Sequence, residues 1–503
     1  MQKNKIAAAI DIGSSIVRMH ISQWDGHNII TLDKLEKPTQ IGKEVFSTGH
    51  ISFDTVRELS TVLSGFCDKA REYGITSVHT ISSTAMREAS NQAYILDHLM
   101  TRNKLEVRVL EDTEVSSLLL DAMKNKDYAP TEKTLFVYGG TGTTDFELIK
   151  NTEIAFAHSI QTGLLKIAEM LRDASEFSKH VEQMAEEYLD TFLTRENRLQ
   201  DLWKANSIVF GAPDLAPLYE FCGIKPEDNA ANIPVKAFME KTGQQGLLTL
   251  QGELLYSMIT LLSVLLRLTR AKKLFCTEIN LADAMLDLIL RPGAKKSHGE
   301  SLRAGAISAA FDLAARYHCD IKHCEHVTRM ALRIFEKLRK PFGFIKKQDL
   351  LLHIACILHE SGHYANSDNV AESSFNLIKD AQIYGLCSRD ALITANIIAP
   401  QSLLGVTRNV VRGGVLDGDD VLFAAKMHAI LYLTDALDYS RKQKAKLSDV
   451  FIEDDCLVIS VQIREDFTLE QWLFKESAVL FKEIFGIEPK LRINNVYHME
   501  GKR

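Results

Sequence analysis

The sequence predicts an α/β fold of two similar lobes, followed by a helical region and a small α/β tail, and three observations carry that expectation. Ile6 to Ile21 reads as an apolar strand ending in Asp11, a turn of Gly13, Ser14 and Ser15, and a second, alternating strand. Leu135 to Ile149 repeats the pattern, with a Gly/Thr-rich turn running from Gly139 to Asp145. After about residue 299 strand-like runs give way to helical periodicity almost to residue 445.

In chain order, strands are expected near 6–12, 16–24 and 28–35, a helix near 53–73, and strands near 76–82 and 105–110, which together make one α/β lobe over 1–126. A second lobe over 127–298 starts with strands and becomes mainly helical, with late strands at Ile208 to Ala212 and Glu278 to Leu281. The apolar run Leu254 to Leu266 is too short to span a bilayer and is followed by Arg267, Arg270, Lys272 and Lys273, so it reads as a buried helix. Arg291 to Gly299 has the Pro, Gly and charge content of a linker. A helical domain is expected over 299–447, and 448–503 closes the chain with the alternating strand Cys456 to Ile463, a helix and a last strand.

Composition excludes some classes. With 503 residues and 46% hydrophobic residues the chain can bury several cores, and a net charge of −7 offers no overall attraction to nucleic acid or membrane. The eight cysteines form no CxxC pair and lie in apolar or mixed segments, as expected of reduced thiols in the cytoplasm. The charged start, Met1 to Lys5, runs into a strand with a central Asp, so a cleaved leader is not expected.

The two hairpins are candidate phosphate-binding loops. Turns of Gly and small hydroxyl residues let backbone N–H groups converge on an anion, and a carboxylate at a strand end can hold a divalent cation against it. These considerations select Asp11 as a metal ligand, and Gly13, Ser14, Ser15, Gly139, Gly140, Thr141, Gly142, Thr143 and Thr144 as phosphate-binding positions. Ordinary hairpin chemistry is the alternative for either turn taken alone.

Four ordered segments make the chain resemble the exopolyphosphatase and guanosine pentaphosphate phosphohydrolase (Ppx/GppA) family. They are Asp11 to Ser15 as a first phosphate loop, Ser83 to Asn91, Val109 to Glu114 leading into an apolar helix, and the Gly139 to Asp145 turn as a second loop. The resemblance implies two actin-, Hsp70- and sugar-kinase-like (ribonuclease H-like) lobes, an all-α HD-like domain and a small α/β C-terminal domain. It implies Mg²⁺ as cofactor, with Asp145, the far-end acid of the second loop, joining Asp11 as a metal ligand, Arg87 gripping phosphate oxygens and Glu114 activating water. Without the resemblance, Arg87 reads as a surface ion-pair residue and Glu114 as a first-turn helix glutamate.

Four departures from the family pattern stand out. The strand-end aspartate of the second loop is Tyr138, whose neutral phenol cannot serve as a hard-cation ligand. Lys166 replaces an arginine in the stretch Ser159 to Lys166, and a nucleoside-side glycine motif is reduced to Phe210 to Asp214. In the helical region His326, the pair His359 and Glu360, and Asp435 resemble the ligands of an HD-phosphohydrolase metal site, with Glu360 in place of an aspartate. The other reading there is a helical scaffold with residual polar pairs, which the departures favour.

The expected function is a Mg²⁺-dependent phosphoanhydride hydrolase that releases terminal phosphate from inorganic polyphosphate, guanosine pentaphosphate or both, in a cleft between two lobes of a homodimeric cytoplasmic protein whose partners are polyphosphate or guanosine penta- or tetraphosphate. Tyr138 supports an alternative, a catalytically weakened regulatory protein that binds polyphosphate or such an alarmone. An ATP-dependent kinase is a third reading, disfavoured by the missing glycine motif.

Overall fold

In the computed structural model, the described residues are 5–126, 132–140, 142–151, 153–160, 162–175, 187, 191, 205–224, 231–244, 253–345, 348–381, 383–398 and 416–495. The chain divides into two compact units, Met1–Gly305 and Ala306–Arg503.

The first unit holds two sheets built to one plan. In the first, β1 (Lys5–Ile12), β2 (Ile16–Trp24) and β3 (Ile29–Pro38) form an antiparallel meander, and β4 (His79–Ser82) and β5 (Val107–Val109) add parallel to β1, giving the order β3-β2-β1-β4-β5. Ala7 to Ile12 are buried because β1 sits between β2 and β4 and is covered on both faces, whereas β3 ends the sheet and exposes Ile30 and Leu32.

The second sheet repeats the plan. The meander β6 (Lys133–Gly139), β7 (Thr144–Lys150) and β8 (Glu153–Ile160) is followed by β9 (Ser207–Ala212), parallel to β6, with β10 (Ala231–Ile233) antiparallel at the far edge beside β11 (Lys273–Glu278). Its order, β10-β11-β9-β6-β7-β8, contains the 3-2-1-4-5 arrangement of the first sheet plus one edge strand. This recurrence of a ribonuclease H-like order in two successive sheets is the actin-like architecture.

Helices α1 (Ile41–Thr48), α2 (Phe53–Glu72), α3 (Thr84–Glu88), α4 (Gln92–Asn103) and α5 (Asp112–Lys124) complete the first half. Glu44 ties α1 to α2 by accepting from the Ser52 amide and the Thr55 hydroxyl, each at 2.7 Å, while the Ser52 side chain caps α2. The second half adds α6 (Leu164–Ser175), α7 (Ala216–Cys222), α8 (Val235–Gln244), α9 (Glu253–Thr269) and α10 (Leu281–Leu290). The apolar run 254–266 is indeed a buried helix, α9, and packs with Leu135, Val137, Phe146 and Phe210 in one core.

Two expectations shift. The late strand is Lys273–Glu278 rather than 278–281, because the Asn280 side chain accepts from the Asp283 amide and starts a helix at Leu281. The expected linker survives only as far as Gly293, whose φ of 79° turns the chain; from Ala294 the residues run as α11 (Ala294–Arg316).

The second unit contains α12 (Ile321–Arg339), α13 (Asp349–Leu358), a 3₁₀ turn at Ser361–Tyr364, α14 (Val370–Lys379), α15 (Ser388–Ile398) and α16 (Gly418–Ala436). It closes with the sheet β12 (Ala445–Glu453), β13 (Cys456–Ile463) and β14 (Glu488–Asn495), with α17 (Thr468–Phe485) between the last two strands. Among the described residues no helix is long and apolar enough to cross a membrane.

Candidate active site

The two loops are the same device built twice. Across the first hairpin Asp11 of β1 pairs with Arg18 of β2, and the Gly13 amide donates to the Ile16 carbonyl at 3.1 Å. Across the second, Tyr138 of β6 pairs with Asp145 of β7, and the Gly140 amide donates to the Thr143 carbonyl at 3.0 Å. A Cβ on Gly13 would lie 2.6 Å from the Ile16 carbonyl oxygen, so the turn needs glycine there. The first loop is also held from outside: the Gly42 amide donates to the Ser14 carbonyl at 2.8 Å and the Thr39 amide to that of Ser15 at 2.9 Å. The second is anchored by the Leu164 amide, which donates to the Gly140 carbonyl at 2.8 Å.

Both loops open into one cavity of about 420 Å³. Asp11, Gly13, Ser14, Ser15 and Arg18 line it from one side, and Tyr138, Gly139, Gly140, Gly142, Thr143 and Asp145 from the other. Leu254, Met258, Pro217 and Leu281 supply an apolar wall. The ionisable lining residues besides Tyr138 are Asp11, Asp112, Asp145, Asp214 and Arg18, so among the described residues four acids face a single cation.

Burial pushes the Asp11 carboxyl up to about 6, against the opposing pull of Arg18 and His20. Burial likewise pushes Asp145 up to about 6, opposed by hydrogen bonds from the Ser159, Ser116 and Thr143 hydroxyls; the Ser116 bond is 2.7 Å long. The Tyr138 phenol is raised far above its ordinary range by burial and by the charges of Asp145 and Asp11, and it stays neutral. Two buried carboxylates at facing loop ends, with serine and threonine oxygens beside them, are a hard-oxygen donor set that suits Mg²⁺.

Several expected residues lie elsewhere. The Arg87 guanidinium does not line the cavity; it donates to the Leu110 carbonyl at 2.9 Å and to Asp112 Oδ1 at 2.8 Å. Glu114 does not line it either, because its carboxylate accepts from the Glu111 amide in a capping box at the start of α5 and pairs with Arg108. Positions 112, 115 and 119 share the cleft-facing side of α5, and Glu114 projects from another side. The Thr144 hydroxyl is spent on the Thr162 carbonyl at 2.7 Å, and Thr141 lies outside the described residues.

Two cleft residues went unnoticed in the sequence, Arg18 and Asp112. The cross-strand register of a short hairpin points to the first, and the i, i+3, i+7 spacing of Asp112, Val115 and Leu119 points to the second.

The second unit has a polar cluster of its own, and it corrects one residue. His323, not His326, meets His359 and Glu360, with candidate ligand atoms within 4.8 Å of one another. His323 Nε2 stands 3.1 Å from Asp435 Oδ1, and its Nδ1 2.9 Å from Asp438 Oδ2. His326 lies one turn further along α12, its Nδ1 3.4 Å from Arg329. Burial alone would lower the His323 imidazole, yet the hydrogen bonds of Asp435 and Asp438 push it up to about 9. Asp435 is held well below the usual carboxylate range, because bonds with His323 and His359 outweigh its burial. His359 is oriented by Nδ1 against the Cys356 carbonyl at 2.9 Å, which leaves Nε2 3.5 Å from Asp435. These donors suit a divalent transition metal, but the Arg441 guanidinium is hydrogen-bonded to Glu360 and already supplies a positive charge there.

No curated protein sequence matches the chain. Among solved structures, it is similar to the Ppx/GppA family member of Aquifex aeolicus at 18% identity and a TM-score of 0.48, covering 56% of this chain and 96% of that one. An exopolyphosphatase from Cytophaga hutchinsonii is similar at 16% identity and a TM-score of 0.47, covering 57% and 98%. The ethanolamine utilization protein EutJ from Carboxydothermus hydrogenoformans is more distant, at 13% identity and a TM-score of 0.27, covering 52% and 89%. Residues 20–203 match the Ppx/GppA phosphatase family, and residues 307–477 match its domain III. With these two regions spanning well over half of its length, the chain belongs to the Ppx/GppA phosphatase family.

Proposed function

We propose that the protein releases terminal phosphate from a phosphoanhydride chain, inorganic polyphosphate or a guanosine pentaphosphate, with Mg²⁺ in the cleft between its twin loops. The observation that carries this reading is the pair of buried carboxylates, Asp11 and Asp145, at the ends of two phosphate-type loops that share one cavity. Asp11 and Asp145 would hold the cation, which when bound neutralises phosphate charge and orients the leaving oxygen.

The residues of the chain supply the rest. The loop amides and the Ser14 and Thr143 hydroxyls orient phosphate oxygens, and Arg18 offsets charge on the transferred group. Water attacks the terminal phosphorus, the bridging P–O bond breaks with its electrons going to the leaving phosphate, and a carboxylate takes the water proton. Asp112 is the α5 acid that faces the cleft, and it carries this role better than Glu114. Four lining acids against one arginine also mean that a bare polyanion is repelled, so phosphate enters together with its cations.

A second reading, a regulatory protein that binds the same ligands with little turnover, is favoured by Tyr138 at a strand end and by the pairing of Arg87 with Asp112 and of Glu114 with Arg108. A phosphate-release assay on polyphosphate and guanosine pentaphosphate, with and without Mg²⁺, separates the two. Release that depends on Mg²⁺ and is lost in Asp11→Asn supports the hydrolase; Mg²⁺-dependent binding without release supports the sensor.

A further inference from the structure

The first unit has a second cavity, of about 810 Å³, at the amino ends of β4 and β5, the opposite end of these strands from the cleft. Its floor is apolar, made by the buried Ile75, Leu105 and Met285 with the exposed Met100 beside them. Its rim carries the cations Arg71, Lys104 and Arg108 beside His79, with Glu106 as the one lining carboxylate among the described residues. Arg71 pairs with Asp68 and Arg108 with Glu114, while Lys104 has no acidic partner among the described residues. Lys5 and Lys295 add charge next to His79, and both oppose its protonation in addition to its burial. Of the groups named here, the cations Arg71, Lys104, Arg108, Lys5 and Lys295 outnumber the acids Asp68, Glu106 and Glu114, and that excess around a concave surface leaves a positive potential.

We propose that this cavity binds a nucleoside polyphosphate without a metal ion, with the phosphates on the Arg71, Lys104 and Arg108 rim and the base on the Ile75, Met100 and Met285 floor. A bare inorganic phosphate chain could use the rim but would leave the floor uncovered; the flat face of a base covers aliphatic and thioether surface well. The electrostatics are the reverse of the cleft, where acids exceed cations, so the two sites respond oppositely to metal removal.

The test is calorimetric titration of the full chain with GTP and, separately, with inorganic tripolyphosphate, in EDTA. Without divalent cations the acid-rich cleft rejects phosphate, so binding reports the second cavity whether or not the cleft hydrolyses anything. One GTP site per chain is expected, weakened about tenfold by Lys104→Glu and by Lys295→Glu through reversal of a nearby charge. Both side chains are exposed, so neither substitution threatens the fold. Absence of metal-free GTP binding, or binding indifferent to both substitutions, overturns the site, and tripolyphosphate binding as tightly as GTP overturns the role of the floor.

Discussion

Asp11 and Tyr138 occupy the same place in two copies of one hairpin. Each ends the first strand, each faces across the register a residue seven positions on, and each is followed two positions later by the glycine whose amide closes the turn. The cross-strand partners differ in sense: Asp11 faces a cation, Arg18, and Tyr138 faces an acid, Asp145. The cleft therefore draws its two carboxylates from opposite arms of its two hairpins, and Tyr138 fills with a neutral phenol the place where a third would stand.

This asymmetry predicts the behaviour of Tyr138→Asp. A third buried carboxylate lowers stability in EDTA, because like charges crowd a dry site, and Mg²⁺ restores it by binding all three. Thermal denaturation in EDTA and in Mg²⁺ measures both effects. A variant whose melting point does not respond to Mg²⁺ more strongly than the parent would show that the cation does not sit at these loops.

The raised carboxylates set a pH dependence. Asp11 and Asp145 ionise near 6 in the folded chain, up from 3.8, so the native state holds more protons than the unfolded one between these values. Stability in EDTA is then greatest below about pH 4 for these groups and falls as pH rises through 6, by on the order of 3 kcal/mol for each carboxylate. Removing one carboxylate, as in Asp145→Asn, should flatten the dependence. A parent and variant with the same denaturant profiles from pH 4.5 to 7.5 would refute the assignment.

Gly42 acts on the cleft without lining it. A Cβ at this position would come within 2.6 Å of the Ser14 Cβ and displace the first loop, whereas Gly65, in the exposed face of α2, has no neighbour within 4 Å. Gly42→Ala is expected to weaken phosphate-ligand binding in Mg²⁺ by roughly ten- to a hundredfold, since loop geometry controls several contacts at once. Gly65→Ala leaves binding unchanged and raises stability by up to about 1 kcal/mol. Equal binding by both variants would show that the position of Ser14 does not matter.

In the second unit the Arg441 guanidinium holds Glu360, the carboxylate of the candidate metal cluster. Arg441→Ala frees the carboxylate beside two imidazoles, and elemental analysis after dialysis against Zn²⁺ or Mn²⁺ should find more bound metal in the variant than in the parent. Identical metal content would mean that the cluster is purely structural. The same cluster has a signature at high pH: His323 titrates near 9 instead of 6.5, so its contribution to stability is complete below 6.5 and is lost as pH rises through 9.

Much of this protein could be read locally. The paired strand, turn and strand patterns, the glycine at each turn and the buried helix at 254–266 depend on short-range periodicity and backbone conformation, and these appear where expected. So does the closing strand, helix and strand after Cys456. Which side chains meet was decided by tertiary structure. Glu114 and Asp112 are two residues apart at one helix start, and only the placement of α5 decides that Asp112 enters the cleft while Glu114 caps the helix. His323 and His326 are one helical turn apart on the same buried side of α12, and only packing against the elements that carry His359 and Asp435 selects the first. A sequence specifies periodicity to within a turn, but a hydrogen bond discriminates distances of less than an ångström, and that precision comes from the packed fold.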